Sequence, residues 1–192
     1  MTVRTALVLT AALGAAALAA ASAAASVSVL GGSAARQCFQ AAESPMSPST
    51  ETLDVCDLAI TAEPLTDRDL VATYINRGIL RVRVGRTGDG IADFNRAIER
   101  DPTVAEAWFN RGVALMRLGS PEEAMPSFEG AVERSTNRPA LAYFGRAVAN
   151  EALGNMRAAY ADYRRASELD PDWDRPRSEL RRFQVRLPGV VN

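Results

Sequence analysis

Three stretches of the chain, YINRG at 74–78, WFNRG at 108–112 and YFGRA at 143–147, repeat one order of residues, and their first positions lie 34 and 35 residues apart. A repeat of that period constrains the fold more than any other feature, because each unit must bury its apolar face against the next copy of itself. The units begin at Val71, Ala105 and Ala140. Each has a large aromatic at its fourth position (Tyr74, Trp108, Tyr143) and a small residue at its eighth (Gly78, Gly112, Ala147). A second aromatic follows (Phe94, Phe128, Tyr163), then an alanine (Ala97, Ala131, Ala166), and two units close on Asp101-Pro102 and Asp170-Pro171. Positions four, eight and eleven share one face of a first helix, and positions twenty, twenty-four and twenty-seven share one face of a second. Small residues let the helices approach while aromatics fill the space around the contact.

These residues resemble the tetratricopeptide repeat family, whose unit of about 34 residues runs aromatic, small, Ala, aromatic, Ala, Pro. The resemblance covers residues 71–171. It implies an all-α fold, an α-solenoid of about three helix-turn-helix repeats within 67–171 (71–104, 105–139 and 140–171). An irregular helical pair is expected in 26–66 and a capping helix and tail in 172–192. The chain departs from the family pattern at Arg77, Arg111 and Arg146, which stand where Leu is usual, at Gly90 in place of Ala, and at Thr136 in place of Pro. The three arginines are read as architecture: they should pair with Asp93 and Asp162 on helix B, with Ser127 breaking the series, while their stems cover apolar surface.

Local signals place the second hairpin. Ser120-Pro121-Glu122-Glu123 reads as a capping box, and Pro126 should bend the helix that follows. After Pro171, a helix carrying Trp173, Leu180 and Phe183 should cover the last repeat, with Arg177, Arg181, Arg182 and Arg186 facing water. Asp170, Asp172 and Asp174 mimic a calcium loop, but Arg175 and Arg181 fall where Gly and Glu are needed, so they read as linker and helix-start charges.

The 47% of hydrophobic residues overstates the core, because the run from Ala6 to Ala25 follows Arg4 as the apolar region of a secretory signal does. Residues 1–25 are therefore set aside as a leader, cleaved after Ala23 or Ala25, with later cleavage near Ala35 the less favoured site. An uncleaved membrane anchor extended through Leu30 is the alternative. The expected location is periplasmic or otherwise exported, with membrane contact only through the leader if it is retained. In such a compartment Cys38 and Cys56 read as a disulfide bracing the loop SPMSPST, against the alternative of two buried thiols.

Charge and composition exclude several functions. With 22 basic residues, all Arg, against 23 acidic and no His, the net charge of -1 offers nucleic acid no general attraction. Histidine triads and histidine metal sites are ruled out. No set of groups suggests catalysis, a cofactor or a metal, and the glycines of GRTGDG at 85–90 serve a turn rather than a phosphate. The chain is thus expected to be non-enzymatic.

The resemblance also implies a concave wall built from helix A. Its apolar row is Ile75, Ile79, Val82, Phe109, Val113, Met116, Phe144 and Val148, with Arg83 and Arg117 at the rim to select acidic flanks. An exposed row of that kind marks an interaction site for an apolar or amphipathic peptide or helix. The alternative is a groove filled by the leading segment, by the final helix or by a second copy in a homo-oligomer. A carboxylate clamp of the kind some family members use is matched only at Asn110, so binding of chaperone tails is not expected.

Overall fold

The structure, a computed structural model, describes residues 6–8, 25–134 and 138–186, and places side chains for 25–134 and 138–183. The leader positions 1–5 and 9–24, Thr136 and the side chain of Arg186 lie outside the described residues. Nine helices occur among the described residues: α1 (Ser33–Glu43), α2 (Thr50–Ala62), α3 (Asp67–Arg83), α4 (Thr87–Arg100), α5 (Ala105–Arg117), α6 (Pro121–Glu133), α7 (Pro139–Ala152), α8 (Met156–Leu169) and α9 (Asp174–Leu180). A short ribbon joins the chain ends, β1 (Ala6–Val8) running antiparallel to β2 (Gln184–Arg186). The architecture is the expected all-α solenoid: α3–α4, α5–α6 and α7–α8 are antiparallel hairpins stacked in order, with α1–α2 before them and α9 after.

The repeated small residues act where the helices cross. A Cβ on Gly112 would stand 2.8 Å from the ring of Phe128, and one on Gly145 would stand 2.5 Å from the same ring. Phe128 is thereby clamped between its own hairpin and the next. Phe94 occupies the same place against Gly78, where an added Cβ would lie 2.5 Å away. Phe94, Phe128 and Tyr163 are fully buried, each contributing roughly 1.5–3 kcal/mol of burial.

All three A-to-B turns are one motif. Gly85, Gly119 and Gly154 have φ of 83°, 75° and 77°, the left-handed region that glycine enters without steric penalty. In each turn the glycine N–H and the next N–H return to the last turn of helix A: Gly119 to Met116 and Ser120 to Leu115, for example, at 3.0 and 3.1 Å. This overturns the capping box expected at Ser120, whose side chain makes no capping bond. Glu123 would have to reach the Ser120 N–H, and Leu115 already accepts it. The true capping box lies at Ser49 and Thr52, before α2. Of the glycines in GRTGDG, only Gly85 serves the turn. Gly90 lies inside α4, where a Cβ would meet Val82 at 2.6 Å and the Gly78 carbonyl at 2.8 Å. α6 continues through Pro126 to Glu133.

The ends are tied down differently. Cys38 and Cys56 form a disulfide between α1 and α2, with Cα atoms 5.0 Å apart and both residues fully buried. At the other end, α9 is shorter than the sequence pattern suggests. Its bonds tighten to i→i+3 at Arg182 and Phe183, and the chain leaves extended toward β2. Trp173 still stacks on Phe144 with ring centres 4.9 Å apart, and Phe183 meets Tyr163 at 5.9 Å. Asp174 pairs with Arg177 and Arg181, consistent with a helix-start role. Among the described residues no helix is long and apolar enough to cross a membrane.

Candidate peptide-binding groove

Helices α3, α5 and α7 form the inner wall, so the sixth positions of the first two units, Asn76 and Asn110, fall on neighbouring helices of one face. Each side-chain amide grips one residue of the extended stretch 25–30. Asn76 accepts the Val27 N–H at 3.0 Å and donates to the Val27 carbonyl at 2.8 Å. Asn110 does the same with Ala25, at 3.3 and 3.0 Å. In an extended chain the N–H and C=O of one residue point to the same side and repeat every second residue. Two asparagines one repeat apart therefore read residues two apart. Farther along, the Leu30 N–H donates to buried Asp69 at 3.0 Å, an oxygen pair that Thr66 also holds.

Side chains of the stretch alternate accordingly. Ala25 packs on the core cluster that holds Phe109, Val27 on the one that holds Ile75 and Ile79, and buried Val29 belongs to the one that holds Ala72 and Ala35. Ser26 turns outward to donate to Glu43 at 2.7 Å, and Ser28 is exposed. The sequence reading passes over Asn76, although it shares its repeat position with Asn110. In the third unit that position is Gly145, under Phe128, and the pair of rungs ends there.

The expected open apolar row is not open. Ile75, Ile79, Val82, Phe109, Phe144 and Val148 are all buried, and Val113 and Met116 are half-buried. Cys38 and Ala42 of α1, the stretch 25–30, Trp173 and Phe183 cover them from both ends. Arg83 is not a free rim charge either. It donates to the carbonyls of Ala42 and Ser44 at 2.6 and 2.7 Å, closing the C-terminal end of α1, and burial lowers its pKa. Arg117 is exposed as expected.

The charged pairs lie buried or half-buried between the helices of the stack. Arg77 makes a two-pronged pair with Asp93, at 2.9 and 2.6 Å, and reaches Asp57 of α2 at 2.6 Å. Arg81 and Arg96 also donate to Asp93. Burial alone would depress the Arg77 pKa, but the hydrogen bonds and charge of Asp93, then Asp57, outweigh it and raise it. Arg146 and Asp162 repeat the fork at 2.9 and 2.8 Å, and the Asp162 hydrogen bond raises the Arg146 pKa. Arg111 instead donates to neutral Ser127 and Asn95, and burial lowers its pKa. Each of the three guanidiniums lies over the aromatic three residues before it, at 5.4, 4.6 and 5.4 Å from the ring centre. Their role is architectural, within hairpins, from α2 to α3 and from α4 to α5.

Residues 75–139 match a tetratricopeptide repeat family model, and residues 140–172 match a second model of the same description. No curated protein matches the sequence. Among solved structures, the first tetratricopeptide repeat domain of human RPAP3 is similar at 26% identity and a TM-score of 0.55, over 58% of this chain and 87% of that one. The first such domain of Spaghetti (RPAP3), with the same identity, TM-score and coverage, was solved bound to the HSP90 peptide SRMEEVD. MamA from Desulfovibrio magneticus RS-1 is similar in fold, at 17% identity and a TM-score of 0.62, over 78% of this chain and 82% of that one.

Proposed function

The chain belongs to the tetratricopeptide repeat family, a family of protein-interaction scaffolds, and from that premise we propose that it is a non-enzymatic, exported module that takes an extended peptide into its concave groove. The observation that carries this reading is the paired grip of Asn76 and Asn110 on the backbone of Val27 and Ala25. Main-chain bonds supply affinity that does not depend on ligand sequence, and the apolar floor between them selects side chains. The helical ligand allowed by the sequence reading is disfavoured, because a helix has already satisfied the backbone groups these amides would bind.

The test is titration of the full chain with short extended peptides, comparing wild type with a variant carrying Asn76→Ala and Asn110→Ala. Saturable binding that the double substitution removes, with helical content unchanged, supports the groove. Binding that survives it points to another surface.

A second reading has its own observation. Six of the predicted groove residues, Ile75, Ile79, Val82, Phe109, Phe144 and Val148, are buried by the chain itself, which favours a wall that is a closed core and a protein that is a structural subunit. Persistent protection of residues 25–30 in the presence of every peptide tried would favour that reading.

Export to the bacterial envelope is supported by the apolar leader and by a disulfide that needs an oxidising compartment. The mass of the protein recovered from an envelope fraction tests it: cleavage after Ala23 keeps both asparagine rungs, and cleavage after Ala25 removes one.

A further inference from the structure

We propose that residues 25–30 are a tethered ligand, and that the groove's external ligand is an extended peptide of the same chemistry, with small or β-branched apolar residues at alternate positions separated by small polar ones. The proposal rests on the groove-binding reading above and adds to it what the groove selects and what keeps it occupied. Three observations converge. The stretch has no helical or strand partner of its own, and its backbone bonds go to side chains of the inner wall. Ala25, Val27 and Val29 point into the groove floor, while Ser26, Ser28 and Leu30 point away, so the apolar alternation runs over 25–29 and ends at exposed Leu30. The bonds span 49 and 85 positions of sequence, so this is a long-range docking and not a local turn.

The selectivity follows from the packing. Val27 packs on the apolar cluster of Ile75 and Ile79, and Ala25 on that of Phe109, so a charged or long polar side chain at either place would be left without a partner in an apolar site. A polar residue between them meets solvent or Glu43 without penalty. Only Gly31 and Gly32 separate the stretch from α1. So short a tether holds its ligand at an effective concentration on the order of millimolar, and a free peptide must compete with that.

The probe is an N-acetylated, fluorescein-labelled heptapeptide with the sequence of residues 24–30, titrated against the full chain and followed by anisotropy. Val27→Pro deletes the N–H that Asn76 accepts and should release the tether. The expected result is at least about tenfold tighter binding of the probe to V27P than to wild type, abolished in both by adding N76A and N110A. Equal affinity for wild type and V27P, with the asparagine dependence intact, overturns the tether but leaves the groove reading standing. A probe that binds neither form sinks the groove reading and the tether with it. If V27P loses its helical signal, hydrogen exchange on the wild-type chain decides. Excess probe should speed exchange at the Ala25 and Val27 amides, and unchanged protection with probe bound overturns the proposal. A dimer that exchanges this stretch between copies also overturns it, since the ligand would then act in trans.

Discussion

Asp93 shows how much one side chain can hold. It is fully buried, yet four guanidinium bonds from Arg77, Arg81 and Arg96 converge on its carboxylate. Removing its charge leaves Arg77 buried with Asp57 alone, and breaking a buried pair on one side typically costs about 3–5 kcal/mol. Asp93→Asn should therefore lower the free energy of unfolding, measured by urea titration, by an amount in that range. Arg111 presents the opposite case, a half-buried cation held by Ser127 and Asn95 without a carboxylate. Ser127 occupies the place of Asp93 and Asp162, sixteen positions after its arginine as they are. Ser127→Asp should raise stability by roughly 1 kcal/mol, since it compensates a charge already half-buried. A fall in the same measurement would show that desolvating the new carboxylate outweighs the pairing. These bridges were legible because one offset of sixteen residues recurs. Asn76 was not, since an asparagine on an apolar wall has no sequence signature until the backbone it binds is in place.

Among elements, the α1–α2 pair depends most on cross-links. The disulfide closes 18 positions of chain, which on the chain-entropy model stabilises by about 3 kcal/mol. Replacing Cys38 and Cys56 with Ser should lower stability by about that much, and calorimetry should show the loss first as melting of this pair. Glu63 secures the other end of α1, accepting from the Ala34 and Ala35 N–H groups at 2.9 and 3.1 Å. The Ala34 bond is the largest cause of its lowered pKa; desolvation opposes it, and the Ala35 and Ser33 bonds add to the lowering. A depressed carboxylate stabilises fully above its ordinary value of 4.5, and the contribution is lost as pH falls through the lower folded value. Acidification from neutral to about pH 3 should thus loosen α1 in wild type, and Glu63→Gln should flatten that part of the dependence of melting on pH. The helices themselves were readable from their period, while their caps were not. Ser120 carries the right residues for a capping box, but the glycine turn had already taken the N–H such a box requires.

For the whole molecule, the stack is one-dimensional, yet its ends are not equivalent. α3 is buried along most of its length because α1, α2, α4, α5 and the stretch 25–30 all lie against it. The N-terminal pair thus stands where a preceding repeat would stand. α9 has seven residues and packs chiefly on α8 and Phe144. The sequence revealed the wall but named its leading segment only as one of three possible covers, because residues 25–30 have no helical period and their partners lie far along the chain. In a solenoid, local opening follows the number of neighbours each helix must leave. Amide exchange should therefore be slowest in α3, intermediate in α5 and α7, and fastest in α9, and peptides from a quenched-exchange digest can rank them. Arg77 and Arg81 add to the gradient by joining α3 to both α2 and α4. Asp93→Asn should accordingly bring α3 down toward the rate of α5 while leaving α9 unchanged. Exchange in α9 as slow as in α3 would mean that the C-terminal end, rather than the covered wall, anchors the stack.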